Sequence, residues 1–162
     1  MREEFLSICL CTNFEYEGTN PHCYISGYVD VISEKTVDFG SETAIETVVS
    51  YSKMEEHHKK LLADSHGYFV FNAIDSSYVF GNDHECEPEI SIYGLIITVY
   101  KETETMLIIS SCNYYSIFGI ICDYAHDIGI DLNLNKFAGE LVKNAAINSV
   151  EDIIEAIEIS NF

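Results

Sequence analysis

The architecture of this chain is most evident in residues 90–110, ISIYGLIITVYKETETMLIIS. Its two apolar runs, 90–100 and 105–110, are separated by the short polar stretch 101–104. Apolar runs of this length, rich in β-branched residues and joined by a tight polar turn, are typical of adjacent antiparallel strands. The pattern predicts that these residues lie in the centre of a β-sheet.

Further strands are predicted upstream of this segment. Runs 68–74 and 78–80 extend it to a four-stranded meander, because each ends at a polar or glycine-containing turn. At the N-terminus, residues 4–17 and 23–32 alternate around a turn containing Gly18 and Pro21, which predicts a hairpin. One face of its second strand would carry Cys23, Ile25, Val29 and Val31, and the other would carry Tyr24, Ser26, Tyr28 and Asp30.

A helix is predicted to begin at Ser41 and to end before Gly67, because the apolar spacing changes there to a period near 3.6. The positions that follow this period are Ile45, Val48, Val49, His58, Leu61 and Leu62.

Residues 105–122 contain no charged side chain, but serine, asparagine and tyrosine interrupt the run, so a buried strand followed by a buried helix explains it better than a membrane span. Asn113 would cap that helix, which would end near Gly129. Its apolar stripe would be Ile117, Phe118, Ile121, Tyr124, Ala125 and Ile128, and a second stripe would be Phe137, Leu141 and Ala145.

A last helix is predicted from Ser149, which has Asp152 three residues later, as in a capping box. Its inward stripe would be Val150, Ile153, Ile154 and Ile157. Strands followed by helices predict a single α+β domain over residues 1–162. We expect a largely antiparallel sheet, made of the N-terminal hairpin and the central meander, with helices packed on one face.

The charge balance restricts the partners of the chain. Among 162 residues, 27 Asp and Glu oppose 8 Lys and Arg, a net charge of −19, and Arg2 is the one arginine. Nucleic-acid binding is disfavoured because it relies on clustered Lys and Arg, whereas a basic protein partner is favoured. The six cysteines are interpreted as reduced thiols of a cytoplasmic protein, since the acidic N-terminus is unlike a secretion signal.

Two acidic segments are the candidate binding sites. The first is a loop in which four acids surround His84 and Cys86, and the second is the outward side of the last helix. The loop spacing does not match a zinc site, so we expect no metal and interpret the loop as presented to a partner. The candidate partner-binding residues are Asp83, Glu85, Glu87, Glu89, Glu151, Asp152, Glu155 and Glu158.

Catalytic chemistry has little support in the sequence. Cys112 with His126 is the one candidate nucleophile and base, and an inert buried thiol is the alternative that we favour. His57 and His58 are neighbours on a predicted helix and cannot both face one metal, so a solvated surface is expected. Glycine patterns for nucleotides are missing, and we therefore expect no cofactor and no enzymatic activity.

In size, acidity, tyrosine content and lack of motifs, the chain resembles bacterial immunity proteins that neutralise toxin domains, including those of contact-dependent growth inhibition systems. The resemblance implies an acidic cytoplasmic inhibitor that occludes the active site of a basic, nuclease-type toxin. Three alternatives stay open: a DNA mimic that inhibits a nucleic-acid-binding protein, a small enzyme that uses Cys112, and a scaffold subunit.

Overall fold

The computed structural model describes residues 2–10, 23–63, 68–70, 73–74, 90–91, 95–111, 117–133, 136–137 and 147–160. The strands are β1 (Arg2–Leu10), β2 (Cys23–Phe39), β3 (Glu42–Ser50), β4 (Tyr68–Val70), β5 (Ala73–Ile74), β6 (Ile90–Ser91), β7 (Leu95–Tyr100) and β8 (Thr105–Ser111). The helices are α1 (Glu56–Ala63), α2 (Ile117–Asp127) and α3 (Val150–Ile159).

The pairing of the N-terminal hairpin is confirmed for the described residues, while 11–17 and the predicted turn with Gly18 and Pro21 lie outside them. Strands β1 and β2 pair antiparallel, with Phe5 opposite Tyr28 and Ile8 opposite Ile25. Ile25, Val29 and Val31 are buried while Tyr28 is exposed, as the alternation predicts. Strand β2 continues to Phe39, well beyond the predicted end at residue 32, because its second half pairs with β3.

The helix predicted from Ser41 is wrong in its first half, where residues 42–50 form β3. This strand pairs with β2 on one side and β8 on the other, so ladder hydrogen bonds satisfy its backbone in place of helical ones. The β-branched run Thr47, Val48 and Val49 suits an extended strand with partly or fully buried side chains on both faces. The second half of the prediction holds, since α1 contains Leu61 and Leu62.

Residues 95–111 form the predicted central hairpin, in which β7 and β8 pair antiparallel around a turn at 101–104. In the six-stranded sheet the order is β1-β2-β3-β8-β7-β4, and β5 and β6 form a separate pair. The predicted strand 68–74 is thus represented by β4 and β5, and 90–100 by β6 and β7. The predicted strand 78–80 lies outside the described residues.

The sheet has a hydrophobic core on each face. One core is formed with α2 and α3 and includes Phe39, Ala44, Ile96, Leu107 and Ile109. The other includes Leu62 of α1, with Leu6, Val29, Ile97, Met106 and Ile108. The α+β class and the largely antiparallel sheet are confirmed, but α1 lies on the face opposite to α2 and α3. Successive side chains of β7 and β8 point to opposite faces of the sheet. Because each face is covered by a core, side chains on both faces of these two strands are buried.

In the two longer helices the buried residues are mostly the predicted ones, with one position of α2 replaced by another. In α2, Ile117, Phe118, Ile121 and Ala125 are buried, but Ile128 is 43% exposed and Ile120 is buried instead. In α3 the buried positions are Val150, Ile153 and Ile157, with Ile154 partly buried against the same core. Phe137 is buried, whereas Asn113, Leu141 and Ala145 lie outside the described residues.

Within the described part of the chain, no helix is both long enough and apolar enough to cross a membrane.

Candidate binding surface

The start of α3 is held on the sheet by a buried carboxylate. Glu46 of β3, whose side chain is 6% exposed, accepts a hydrogen bond of 2.6 Å from the Val150 backbone N–H. Its other oxygen lies 3.3 Å from Lys35 Nζ. Because the first backbone N–H groups of a helix lack partners within the helix, an anion in this position both satisfies a donor and complements the helix dipole.

Three further contacts fix the same end of α3. Ser149 is the N-cap, and its Oγ accepts from the Asp152 N–H at 3.3 Å. The Asp152 carboxylate accepts from the Asn148 N–H at 2.7 Å, one residue before the position that a capping box would use. The Tyr100 hydroxyl donates to Asn148 Oδ1 at 2.6 Å. The outward side of α3 is therefore presented in a defined orientation.

The predicted binding residues of α3 divide into two groups. Glu151, Glu155 and Glu158 are exposed, as expected for a binding surface. Asp152 is partly buried, and its carboxylate serves the start of the helix. The predicted loop acids, Asp83, Glu85, Glu87 and Glu89, lie outside the described residues.

Helix α2 lies against α3 and contributes further acids that the sequence analysis missed. The Tyr124 hydroxyl donates to Glu158 Oε1 at 3.1 Å, which connects the two helices. Loss of hydration, this hydrogen bond and the nearby Glu151 raise the pKa of Tyr124. On α2, Asp123 and Asp127 are one turn apart and exposed. Their signal was present in the sequence as two acids four residues apart, away from the predicted apolar stripe.

Glu42, the first residue of β3, joins these acids. Its pKa is raised, first by partial burial and then by the neighbouring carboxylates of Asp123 and Asp127. A raised carboxyl pKa records an environment that disfavours negative charge. We call the resulting surface the acidic face. It consists of Glu42, Asp123, Asp127, Glu151, Glu155 and Glu158.

Ion pairs are distributed unequally over the described residues. On the side of β1, β2 and α1, Lys53 lies 2.9 Å from Glu3 and 3.0 Å from Asp30, and Lys59 lies 2.9 Å from Glu104. In the described part of the chain, by contrast, no Lys or Arg nitrogen lies within 4.0 Å of an acidic-face carboxylate. Within the described ranges, the negative charge of this face therefore has no neighbouring Lys or Arg to balance it.

A cavity of about 410 Å³ adjoins the C-terminal end of α2. Burial, with a smaller contribution from Asp123, raises the pKa of the Cys122 thiol, which keeps it protonated at neutral pH and weakens it as a nucleophile. The cavity is lined by Cys122, His126, Gly129, Ile130, Asp131 and Leu132.

Of the predicted pair Cys112 and His126, Cys112 lies outside the described residues, so the distance between the two side chains is not described. His57 is exposed, as expected. His58 is partly buried, and its Nδ1 lies 2.8 Å from the Ser26 carbonyl oxygen, so it links α1 to β2. Among the described residues, no group of three or more His, Cys, Asp or Glu side chains is arranged to hold a metal ion.

With this geometry established, we compared the chain with protein-family models, with curated proteins and with solved structures, and found no match.

Proposed function

We propose that this protein is an acidic inhibitor that binds a basic partner protein and covers its active site. The observation that carries the proposal is the acidic face, which holds six carboxylates without an ion pair in the described residues. The resemblance to immunity proteins favours a nuclease-type toxin as the partner, since an enzyme that binds nucleic acid has a basic active-site surface.

Uncompensated charge on one side suits rapid capture of such a partner. Complementary potentials steer two proteins together and raise the association rate, an effect that weakens as salt rises. A carboxylate without an intramolecular cation can pair with a partner's Lys or Arg without first breaking an existing contact. The firm attachment of α3 through Glu46 and Ser149 adds preorganisation, which reduces the entropy lost on binding.

We place this activity in the cytoplasm, where the Cys122 thiol stays reduced, and it requires no cofactor. The inhibitor would occupy the site at which the basic partner otherwise binds phosphate groups. Inhibition would then follow from exclusion of the nucleic acid, with no chemical step by the inhibitor.

The test uses the product of the neighbouring gene, because immunity genes lie beside those of their toxins. After coexpression and purification, association with the wild-type protein is measured at several salt concentrations. Two variants of equal net charge are compared. The acidic-face triple variant is Asp127→Asn, Glu151→Gln and Glu155→Gln, and the control triple variant is Glu34→Gln, Glu55→Gln and Glu102→Gln.

We expect the acidic-face triple variant to associate about tenfold more slowly and to respond less to salt, because steering charges have been removed from the contact surface. The control triple variant should stay within about twofold of the wild type, since its exposed acids lie elsewhere. Recovery of no basic partner would refute the proposal. Equal losses in the two variants would show that overall charge, and not this face, is responsible.

A further inference from the structure

We propose that the cavity at the end of α2 receives an arginine side chain of the basic partner, with its guanidinium group at Asp131. This inference rests on the proposed function, because it specifies what the partner inserts beside the acidic face. Three features of the cavity support this assignment: the backbone that forms it, its electrostatic setting and the chemistry of its walls.

The backbone at the end of α2 builds the cavity. Gly129 has φ +81°, and its N–H donates to the His126 carbonyl at 3.0 Å, while the Ile130 N–H donates to Ala125 at 2.8 Å. These two bonds are the Schellman arrangement, in which the chain reverses around a left-handed residue. The reversal brings Asp131 and Leu132 beside the last turns of the helix, where Cys122 and His126 lie.

The burial of Ile130 holds this arrangement in place. Ile130 and Ala125 both belong to the core under α2, so the chain cannot leave the helix end without exposing apolar surface. The cavity is consequently preformed, and a ligand group would enter it without ordering the backbone.

The electrostatic setting favours a cation. The C-terminal end of a helix dipole carries partial negative charge, and here the Gly129 and Ile130 N–H groups pair two of the last carbonyls while the dipole of the helix remains. The exposed Asp131 carboxylate adds a full charge, and in the described chain no Lys or Arg nitrogen lies within 4.0 Å of it. Asp127, the last residue of α2 and a member of the acidic face, is next but one in sequence to the cavity residue Gly129.

The walls suit a long aliphatic stem that ends in a charge. Leu132, which is partly buried, supplies apolar surface, and Ile130 adds the small part of its side chain that is not buried in the core. The neutral Cys122 thiol extends this surface. Arginine fits this combination because its methylene groups pack on apolar surface while its guanidinium pairs with a carboxylate. A volume of about 410 Å³ accommodates such a side chain.

The test needs no partner. Nitrogen-15 spectra of the full chain are titrated with N-acetyl-arginine amide, and separately with N-acetyl-citrulline amide, which has nearly the same shape without the charge. We expect the arginine compound to shift the amide resonances of residues 129–132 at millimolar concentration. The citrulline compound should shift them far less, because it cannot form the charged pair with Asp131.

Asp131→Asn should weaken binding of the arginine compound by about threefold, the scale of one exposed charge pair. Glu102→Gln, which removes an exposed acid from the β7–β8 turn, should leave it unchanged. Equal shifts by the two compounds, or unchanged affinity in Asp131→Asn, would overturn the arginine site. The proposed function fails on different evidence, namely the lack of any basic partner. A basic partner that binds Asp131→Asn as tightly as wild type would refute this inference alone.

Discussion

Glu46 has a structural role, as the acceptor for the first turn of α3, that the neighbouring sequence does not indicate. It lies in a strand between Ile45 and Thr47, where alternation gives no hint of a role for a carboxylate. The fold brings the first turn of α3 to it across more than a hundred residues of chain, and the Val150 N–H becomes its donor. A buried charge is tolerated here because it is hydrogen-bonded and has Lys35 beside it.

Glu46→Ala should lower the free energy of unfolding by about 2 kcal/mol, because a buried backbone N–H loses a charged acceptor. Glu46→Gln should cost about 1 kcal/mol, since its amide oxygen can still accept while the charge is lost. Urea denaturation followed by circular dichroism measures both.

Lys35→Ala is the control for Glu46. The Lys35 side chain is 71% exposed, so its removal should cost less than about 0.5 kcal/mol. A loss in Lys35→Ala as large as that in Glu46→Ala would contradict the assignment, because the ion pair rather than the helix contact would then hold α3.

Among the secondary-structure elements, those defined by local periodicity and by turn or cap residues could be predicted from the sequence. An element defined by its pairing with distant strands could not. The β7–β8 hairpin and the Ser149 start of α3 were predicted because turn and cap chemistry are local. Strand β3 was missed because its side chains are at least partly buried on both faces, so its apolar residues do not alternate cleanly.

The same distinction applies to the candidate surface. Glu151, Glu155 and Glu158 were found because they lie opposite an apolar stripe within one helix. The approach of Glu42, Asp123 and Asp127 to one another depends on tertiary packing between β3 and α2, which a single sequence does not reveal. The end of α2 was predicted near Gly129, but the cavity beside it required the reversed chain at Ile130.

Two glycines of the α2 region should respond in opposite ways to the same substitution. Gly129→Ala should destabilise the protein by about 1 kcal/mol, because φ +81° is unfavourable for a side chain. Gly119→Ala, inside α2, should stabilise it by about 0.5 to 1 kcal/mol through helix propensity. Among the described residues, an added Cβ meets no atom within 4 Å at either position, so steric contact is the same in both.

Thermal unfolding of the two alanine variants provides the measurement. A shift of the same sign in both would contradict the backbone explanation, because only Gly129 has a left-handed conformation. Gly129 also lines the cavity, so its alanine variant adds a methyl group there. The pair therefore compares a residue of the reversed turn with one in the middle of α2.

At the scale of the whole molecule, the net charge of −19 acts against compactness as well as for binding. Like charges confined to one face repel, and folding holds them together. The ion pairs of Lys53 and Lys59 relieve this repulsion on the other side. The acidic face has no such relief in the described residues, so we expect its repulsion to be the largest salt-sensitive contribution to stability.

Raising NaCl from about 10 mM to 0.1 M shortens the screening length from about 30 Å to about 10 Å. The melting temperature should rise by about 3 °C, equivalent to roughly 1 kcal/mol for a chain of this size. The acidic-face triple variant should begin with a higher melting temperature at low salt and gain less. Equal salt responses in the two triple variants would place the repulsion elsewhere.

The inward and outward residues of α3 can be substituted independently during evolution. Val150, Ile153 and Ile157 hold the helix on the sheet, whereas Glu151, Glu155 and Glu158 point away from it. Glu158 also accepts the Tyr124 hydrogen bond that connects α2 and α3. Substitution of Glu151 or Glu155 leaves both the core and that contact intact, so these positions can diverge without a matching cost in stability. A lineage could therefore adopt a new specificity by few mutational steps on an unchanged scaffold, and an engineer could use the same freedom.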